Sequence, residues 1–383
     1  MIQPFIVQKL ISEVLSLLDP YDNMKEIIKF EDHCIKLRGN VHELRGALHF
    51  FSAGKAASYE LDAILRIFEE SCNYNNIGLK VAYTKDSHTV ENDKIIQLEG
   101  THPVVSEKNI EQTQLFLDYL SKVKGEDTLI FLLSGGASAL LEMPQDKISF
   151  EDLKSKHKEL LRSGLGISEM NEIRKSLSKV KDGKLLNFIK TKNILQLITC
   201  DIPSEKLEDV SSGPMLSSQH KDNHPFTLLG QSASLLLNNL CRDSSRIRGK
   251  IYDCSLEQMQ NDLLSHLPGS NQMLISGGEA PIKLPKNSGK GGRNTHFVLS
   301  FAEIVYKNPS NRDIHIMSLG TDGGDGPTNA AGAYISYELY NSLSSRQYLE
   351  EYNSYEYFEK IGTLIKTGPT KTNVMDVRFI WRE

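Results

Sequence analysis

The chain has 383 residues, which is more than one ordinary domain and suits two or three. Hydrophobic residues make up 39% and charged residues 24%, as in an ordinary globular protein. The formal net charge of −5 argues against a dedicated nucleic-acid binder, because no basic surplus is available to neutralise phosphates. The longest apolar runs, such as residues 129–133, are too short to cross a bilayer. We therefore expect no nucleic-acid partner and no membrane partner.

The first twenty residues and the cysteines indicate the cellular compartment of the protein. The N-terminal stretch lacks a basic lead and is interrupted by Gln8, Lys9 and Glu13, which predicts an amphipathic helix and not a signal peptide. The five cysteines are scattered and contain no CxxC pair, which is typical of reduced thiols. We expect a cytoplasmic protein.

Short apolar runs alternate with longer helical patterns along the chain, which predicts an α/β fold with a mainly parallel sheet. Residues 203–224 are polar and aperiodic, which predicts a long loop or an active-site flap. The pattern restarts after a boundary expected between about 240 and 272. Strands are predicted at 48–52, 78–84, 94–100, 128–134, 193–199, 271–276, 281–285, 314–319 and 373–381, and helices at 57–72, 109–123, 150–163, 168–188, 224–241 and 296–306.

Four of the predicted strands end in turns of small residues: FFSAGKAAS, FLLSGGASALL, MLISGGEAP and MSLGTDGGDGP. Ligands bind at the carboxyl ends of parallel strands, and glycines there let backbone N–H groups approach an anion. The sequence contains no GxxxxGK[ST], no GxGxxG after a strand, no HExxH and no GxSxG elbow. Phosphate chemistry in this protein would therefore need another design.

Two of these turns carry candidate anion ligands. In SGGASALLEMP, at 134–144, Gly135 and Gly136 supply flexible amides, and Ser134 and Ser138 supply hydroxyls. Tight packing of a strand against a helix is the alternative, since glycine also permits it. Lys55, in AGKAAS, stands at a strand–helix junction where its charge reaches a phosphate or carboxylate, unless it is simply solvated.

Two further glycine-rich stretches combine charges of opposite sign. GKGGRNTH, at 289–296, places Lys290 and Arg293 among glycines before a helix, which indicates either an anion site or an exposed basic loop. SLGTDGGDGPTNAAGAY, at 318–334, contains Asp322 and Asp325. Such a carboxylate pair suits Mg²⁺ coordination or activation of a substrate hydroxyl, and a plain acidic loop is the alternative.

Two other segments add polar side chains to this set. NEIRKSLSKVKDGK, at 171–184, puts Asn171 and Arg174 on one helical stripe, which is either a binding face or a solvated one. TGPTKTNVMD, at 367–376, repeats the glycine and threonine theme. Together the segments describe a site with anion cradles, cations and carboxylates, which are the parts that a phosphoryl transferase requires.

The ordered series AGKAA, THPV, SGGASALLEMP, NEIRKSLSKVKDGK, SSGP, SGGEA, GKGGRNTH, GTDGGDGPTNAAGA and TGPTKTNV resembles the type 2 glycerate kinase family, whose C-terminal part is called MOFRL. The resemblance runs from about residue 5 to residue 380. It implies a large Rossmann-like α/β/α domain at 1–245, a smaller mixed α/β MOFRL-type domain at 246–383, and an active site in the cleft between them. It also implies ATP-dependent phosphorylation of D-glycerate to 2-phosphoglycerate with Mg²⁺, and a homodimer is compatible with it.

The resemblance assigns roles to residues that match the family motifs. Catalytic roles fall on Lys55, Asp201, Arg293 and Asp322, and Asp201, Glu279 and Asp322 are the candidate metal ligands. Substrate or phosphate binding falls on Ser134, Gly135, Gly136, Ala137, Ser138, Asn171, Arg174, Lys290, Gly291 and Gly292. Nucleotide binding falls on Gly320, Thr321, Asp325, Gly326, Thr370 and Asn373.

The sequence also departs from the family pattern near these residues. The second aspartate expected after Asp201 is missing from CDIPSEK, which has Ser204 and Glu205, and the usual K-G-G-R is KDGK at 181–184. His296 replaces a glutamate and Asn329 replaces an aspartate. These departures leave two alternatives open: a kinase of a related small hydroxy acid, or a catalytically weakened member that binds or regulates. Family members have also been called hydroxypyruvate or tartronate reductases, but the missing dinucleotide fingerprint argues against that reaction.

Overall fold

The computed structural model describes residues 4–162, 167–217, 224–285 and 287–382. The chain folds into two compact units. The central unit is Pro20–Gln231, and the terminal unit combines Met1–Asp19 with Ser232–Glu383. The helices are α1 (Phe5–Leu18), α2 (Pro20–Ile27), α3 (Ala57–Ser71), α4 (Glu107–Leu120), α5 (Ala137–Leu140), α6 (Phe150–Arg162), α7 (Ile167–Leu177), α8 (Ala233–Leu240), α9 (Leu256–Ser265), α10 (Arg293–Val305), α11 (Tyr337–Asn341), α12 (Arg346–Glu350) and α13 (Ser354–Ile361). The strands are β1 (Ile28–Glu31), β2 (Cys34–Leu37), β3 (Asn40–Glu43), β4 (Leu48–Ala53), β5 (Ile77–Lys85), β6 (Ile96–Gly100), β7 (Thr128–Leu133), β8 (Asn193–Thr199), β9 (Phe226–Gln231), β10 (Arg246–Asp253), β11 (Met273–Glu279), β12 (Ile314–Gly320), β13 (Gly332–Ile335), β14 (Leu364–Ile365) and β15 (Asp376–Arg382).

The central unit is built on a parallel sheet of six strands in the order β6-β5-β4-β7-β8-β9. Counted along the chain, this is the Rossmann order, in which the direction of winding reverses between the first and fourth strands. That reversal lies between β4 and β7. A separate antiparallel meander of β1, β2 and β3 precedes the sheet. The predicted Rossmann-like architecture is confirmed.

Helices cover both faces of the central sheet. Every residue of β4 and of β7 is buried, as expected for parallel strands with helices on either side. Neighbouring residues of β4 face opposite layers: the Phe50 ring lies 5.7 Å from Phe68 of α3, and the Phe51 ring lies 5.5 Å from Phe116 of α4. Rigid packing on both faces therefore fixes the carboxyl ends of β4 and β7.

The terminal unit contains a mixed sheet of six strands in the order β10-β11-β15-β12-β13-β14. Only the β10–β11 pair among these neighbours is parallel. Phe297 and Phe301 of α10 pack on one face, and α1 and α8 cover the other, where Leu10 and Leu237 join a core with Trp381. A smaller mixed α/β unit follows the prediction.

Three local predictions need correction. The helix predicted at 168–188 ends at Leu177, and only a short 3-10 helix, Lys184–Phe188, follows it. The helix predicted at 224–241 is wrong in its first half, which forms β9; the Ser232 hydroxyl then caps α8 by accepting a hydrogen bond from the Leu235 N–H group at 3.3 Å. The strand predicted at 281–285 is absent from the described structure there, consistent with its two prolines. The sequence analysis also missed several elements of the structure: α2, β1–β3, β10, α9, β13, α11–α13 and β14. Residues 163 and 218–223, parts of a predicted helix and of the predicted loop, lie outside the described residues.

The limits of the two units differ from the predicted 1–245 and 246–383. The helix α1 belongs to the terminal unit because its buried side chains Val7, Leu10 and Val14 join the core under that unit's sheet. Arg246, at the start of β10, also donates two hydrogen bonds to the Glu13 carboxylate, at 2.6 and 2.8 Å. The N-terminal helix thus completes a unit whose other residues begin at Ser232.

Within the ranges given above, each helix is too short or too polar to traverse a lipid bilayer.

Candidate functional site

The predicted Lys55 and SGGAS motifs meet where the winding of the central sheet reverses. Lys55 follows β4, and Ser134 follows β7, its neighbour in the sheet. The Lys55 N–H group donates a hydrogen bond to the Gly135 carbonyl at 2.9 Å. The Ala56 N–H group donates to the Ser134 hydroxyl oxygen at 3.2 Å. This is the edge of an open α/β sheet at which ligands bind.

The two glycines of this motif allow close approach by side chains from three other segments. Gly136 precedes α5 with φ +87°, a conformation that favours glycine. A β-carbon on Gly136 would lie 2.8 Å from Cγ of Lys55 and 3.2 Å from Nε2 of His102. A β-carbon on Gly135 would collide with the Asp201 carboxylate. The structure thus brings Lys55, Gly135, Gly136 and Asp201 together. It adds His102, which the sequence analysis left without a role although THPV was among the quoted motifs.

A loop that carries two adjacent serines, Ser211 and Ser212, forms hydrogen bonds with the SGGAS motif. The Ser211 hydroxyl donates to the Ser134 carbonyl at 3.0 Å, and the hydroxyls of Ser212 and Ser138 lie 2.9 Å apart. Ser212 also donates to the Asn171 amide oxygen at 2.9 Å. Asn171 is only 2% exposed, so its side chain holds this loop in place. The two serines were missed, and the SSGP motif was the available signal.

A buried charge cluster lies behind α5. Glu142 is fully buried, forms an ion pair with Lys181 and lies 3.4 Å from the ring of His157. Burial alone would raise the pKa of Glu142, but the neighbouring Lys181 and His157 lower it overall. Burial lowers the pKa of Arg174, and the Glu142 charge opposes that effect. Glu142 therefore supplies the negative charge beside the predicted ligand Arg174, and the sequence analysis missed it.

In the terminal unit, three glycine-containing loops pack backbone against backbone. They span residues 289–292, 320–328 and 367–373. A β-carbon on Gly292 would collide with Asp325, and one on Gly323 would collide with the Gly368 carbonyl. Gly326 has φ +63°, and its β-carbon would lie 2.6 Å from the Gly291 carbonyl oxygen. The predicted residues Gly291, Gly292, Gly320 and Gly326 thus lie in loops that touch one another.

Asp325 holds the first turn of α10. Its carboxylate accepts hydrogen bonds from the N–H groups of Asn294 and Thr295, at 2.8 and 2.9 Å, and from the Thr295 hydroxyl at 2.7 Å. The side chain is 2% exposed, and burial raises its pKa while these hydrogen bonds oppose the rise. Both oxygens are engaged with protein groups. The structure therefore gives Asp325 a capping role where the sequence predicted nucleotide binding.

Three other predicted nucleotide ligands also make loop contacts. Thr321 is fully buried; its hydroxyl donates to the Met375 carbonyl at 2.6 Å and accepts from the Val374 N–H group at 2.8 Å. The Thr370 hydroxyl donates to the Thr321 carbonyl. The Asn373 amide oxygen accepts from the Met375 N–H group at 3.1 Å. These side chains connect the loop after β12 to the segment before β15.

Arg293, the first residue of α10, is held by two acids. Its guanidinium donates two hydrogen bonds to Glu279, at 2.9 and 2.8 Å, and its Nε lies 3.3 Å from Asp376. Burial would lower the pKa of Arg293, but Asp376 and Glu279 raise it overall, so the side chain stays charged. The predicted metal ligand Glu279 is therefore paired with the predicted catalytic arginine. Asp376, which the sequence analysis placed inside a strand, was missed.

The other two charged predictions are more accessible. Asp322 is half-buried, and one of its oxygens accepts a hydrogen bond from the Gly324 N–H group at 3.0 Å. Lys290 is exposed, with its ammonium 4.0 Å from the centroid of the Tyr355 ring. Across the described ranges, no three histidine, cysteine, aspartate or glutamate side chains come together as a group able to hold a metal ion.

Two of the family departures make contacts with tyrosines. The Asn329 amide oxygen accepts from the Tyr355 hydroxyl at 2.7 Å, and the His296 ring stacks on Tyr352 with centroids 4.9 Å apart. His296 also lines a cavity of about 930 Å³ with Tyr340 and Leu349. None of the residues predicted for the site lines this cavity, so we place the chemistry at the loops described above.

Comparison with known proteins covers nearly the whole chain. A family model described as a domain of unknown function (DUF4147) matches residues 6–235, and the MOFRL family model matches residues 272–376. A relative from Pyrococcus horikoshii named "Glycerate 2-kinase" is 30% identical over 96% of this chain and 95% of its own length. One with the same name from Sulfurisphaera tokodaii is 31% identical over 97% of this chain and 98% of its own. A crystal structure of a Pyrococcus horikoshii protein superposes with a TM-score of 0.77 at 27% identity, covering 100% of this chain and 99% of that one.

Proposed function

This chain belongs to the glycerate kinase family, and from that premise we propose that it transfers a phosphoryl group from ATP to D-glycerate and forms 2-phosphoglycerate. One observation carries the proposal. At the point where the central sheet reverses its winding, Lys55 and Asp201 lie against Gly135 and Gly136. A cation, a carboxylate and glycine backbone at one strand edge are the elements that hold an anionic substrate and orient its hydroxyl.

The central unit supplies the acceptor side in this proposal. Lys55 holds the carboxylate of D-glycerate, and the Ser134–Ser138 turn surrounds the acid, with Gly135 and Gly136 offering backbone close to it. Asp201 orients the attacking hydroxyl and accepts its proton as the new O–P bond forms. Asn171, through Ser212, keeps the turn in position, and Arg174 adds positive charge.

The terminal unit supplies the phosphate side. Arg293, held charged between Glu279 and Asp376, stabilises the negative charge on the transferring group. The loops containing Lys290 and Asp322 flank the polyphosphate. Mg²⁺ in kinase sites is held by one or two carboxylates together with substrate phosphates, so the accessible Asp322 suffices as a protein ligand. When bound, Mg²⁺ would neutralise phosphate charge. Glu279, a candidate metal ligand from the sequence, keeps its ion pair with Arg293 in this proposal.

The direct test is a measurement of ADP release with D-glycerate, L-glycerate, tartronate or hydroxypyruvate, with and without Mg²⁺. We expect Mg²⁺-dependent turnover with D-glycerate, and phosphorus NMR of the product should locate the phosphate on carbon 2. Turnover with a different acid alone would make this a kinase of that acid. A lack of turnover with every acid would reject the proposal in favour of a binding protein.

A matched pair of glycine substitutions tests the site itself. Gly135→Ala places a methyl group where the Asp201 carboxylate lies, so we expect at least a roughly 100-fold loss of kcat/KM, corresponding to about 3 kcal/mol. In Gly125→Ala the nearest atom lies 4.0 Å away, so activity should stay within about twofold. Circular dichroism of both variants separates lost activity from lost folding. Equal activity of the two variants would remove Asp201 and Gly135 from the proposed site.

We further propose a cytoplasmic enzyme, with light scattering of the purified protein deciding between a monomer and the homodimer compatible with the family.

A further inference from the structure

His102 is held rigidly beside the proposed acceptor site. It follows β6, and its neighbour Thr101 is held through both of its backbone polar groups: the Asn109 side chain accepts a hydrogen bond from the Thr101 N–H group at 3.1 Å and donates one to the Thr101 carbonyl at 2.9 Å. The same Asn109 amide donates to the Ala139 carbonyl in α5 at 2.8 Å. One fully buried asparagine therefore ties the His102 segment to the helix that follows Gly136.

The imidazole of His102 faces the same glycine as Lys55. The point that a β-carbon of Gly136 would occupy lies 3.2 Å from Nε2 of His102 and 3.0 Å from Cε of Lys55. Both side chains therefore approach Gly136 on the side where any other residue would carry its β-carbon. Among the residues that the structure describes, the ring nitrogens of His102 have no protein hydrogen-bond partner. A partly buried imidazole with a fixed backbone and unused nitrogens is available to a ligand.

The surroundings of His102 are strongly positive. Burial lowers its pKa most, and the charges of Lys55, Lys85, Arg174 and His88 lower it further, to about 3. The ring is therefore neutral at ordinary pH, with one nitrogen donating and the other accepting. The basic side chains of Lys55, Lys85 and Arg174 near a neutral donor favour a ligand that brings negative charge, and a carboxylate does so.

Resting on the proposed function, we propose that His102 recognises the small hydroxy acid by donating a hydrogen bond from Nε2 to its carboxylate, next to Lys55. Its role is recognition, with the chemistry left to other groups. A neutral donor adds direction to the charge of Lys55, since a hydrogen bond depends on angle as well as distance. The reaction needs no proton from His102 in this assignment.

Three substitutions separate this role from a structural one. His102→Leu removes both nitrogens, and we expect KM for D-glycerate to rise roughly 10- to 100-fold while kcat changes by less than about threefold. His102→Gln keeps an amide near the position of Nε2 and should restore most of the affinity. His102→Asn keeps an amide near Nδ1 only and should resemble His102→Leu. His33→Asn, at an exposed turn of the same unit, is the matched control and should leave KM unchanged.

The outcomes distinguish this inference from the proposed function. If the wild-type enzyme fails to phosphorylate D-glycerate, the proposed function fails first. If the wild type is active and His102→Leu keeps its KM, only the assignment of His102 is overturned. Should His102→Leu not fold, histidine NMR of the wild-type protein decides: addition of D-glycerate without ATP must shift the His102 Nε2 resonance. An unchanged resonance at saturating D-glycerate would overturn the assignment.

Discussion

Glu60 lies on α3 with only 2% of its surface exposed, and its carboxylate accepts a hydrogen bond from the Thr199 hydroxyl at 2.6 Å. Burial raises its pKa to about 7, although contacts with the hydroxyls of Thr199 and Ser134 oppose the rise. Thr199 is the last residue of β8, and Ser134 follows the last residue of β7. Both residues therefore lie at the strand ends that carry the proposed site. A buried carboxyl group with a pKa of about 7 therefore contacts Ser134, a residue of the proposed acceptor site.

The raised pKa of Glu60 makes stability depend on pH. In the unfolded chain this acid ionises near its ordinary value of 4.5, and in the folded chain near 7. Between those values the folded state binds more protons, so the free energy of unfolding falls as pH rises and is lower by about 3 kcal/mol above pH 7. We expect Glu60→Gln to be more stable than the wild type by roughly 2–3 kcal/mol at pH 8 and by little near pH 4.5.

Urea unfolding followed by circular dichroism at pH 5 and pH 8 measures this difference. Glu69→Gln, an exposed acid on the same helix, serves as the control and should show no comparable dependence on pH. A Glu60→Gln effect of equal size at both pH values would mean that the wild-type carboxyl does not change its charge in this range.

At the scale of elements, two aspartates three positions apart in one loop have separate tasks. Asp325 binds the N-terminus of α10 through both oxygens, whereas half-buried Asp322 contacts only Gly324 among the hydrogen bonds described above. We expect Asp325→Asn to lower the free energy of unfolding by about 1–3 kcal/mol, because it removes a charge and an acceptor from buried N–H groups. Asp322→Asn should stay within about 0.5 kcal/mol of the wild type but lose at least roughly 100-fold in kcat.

Thermal unfolding and kinase assays of both variants form the test. Each variant is the control for the other, since the substitution is chemically identical. Wild-type stability of Asp325→Asn together with impaired ATP affinity would return Asp325 to the nucleotide role that its sequence predicted.

The sequence predicted the parallel strands better than the residue roles. β7 is an almost continuous apolar run, β8 is one interrupted by Gln196, and helical patterns lie between them, so their type and position follow from burial. β9 was missed because its leucines continue into those of α8 without a change of period. The roles of Asp325 and Thr321 were not predictable, since capping a helix and binding a phosphate use the same residue types beside glycine. His102 and Asp376 come near the site only through folding.

At the scale of the whole molecule, the N-terminal helix α1 stabilises a unit whose other residues lie more than two hundred positions away. Leu10 is fully buried in that unit's core, beside Leu237 and Trp381. We expect Leu10→Ala to lower the free energy of unfolding of the terminal unit by about 2–5 kcal/mol, because it leaves a cavity. Lys9→Ala, at an exposed position of the same helix, should change it by less than about 0.5 kcal/mol.

Trp381 provides the measurement, because it is the chain's 1 tryptophan and lies in the terminal unit with 5% of its surface exposed. Its fluorescence during urea unfolding reports that unit. An unchanged midpoint in Leu10→Ala would contradict the packing of α1 against this core.

The place of β15 between β11 and β12 has a consequence for biosynthesis. The residues of β15 pair with both neighbours, so the two parts of the terminal sheet cannot join until β15 has left the ribosome. The central unit is one continuous segment and is complete in sequence about 150 residues earlier. We therefore expect the central unit of the nascent chain to fold first. Until the terminal unit forms, the apolar side chains of α1 lack the core that buries them in the folded protein.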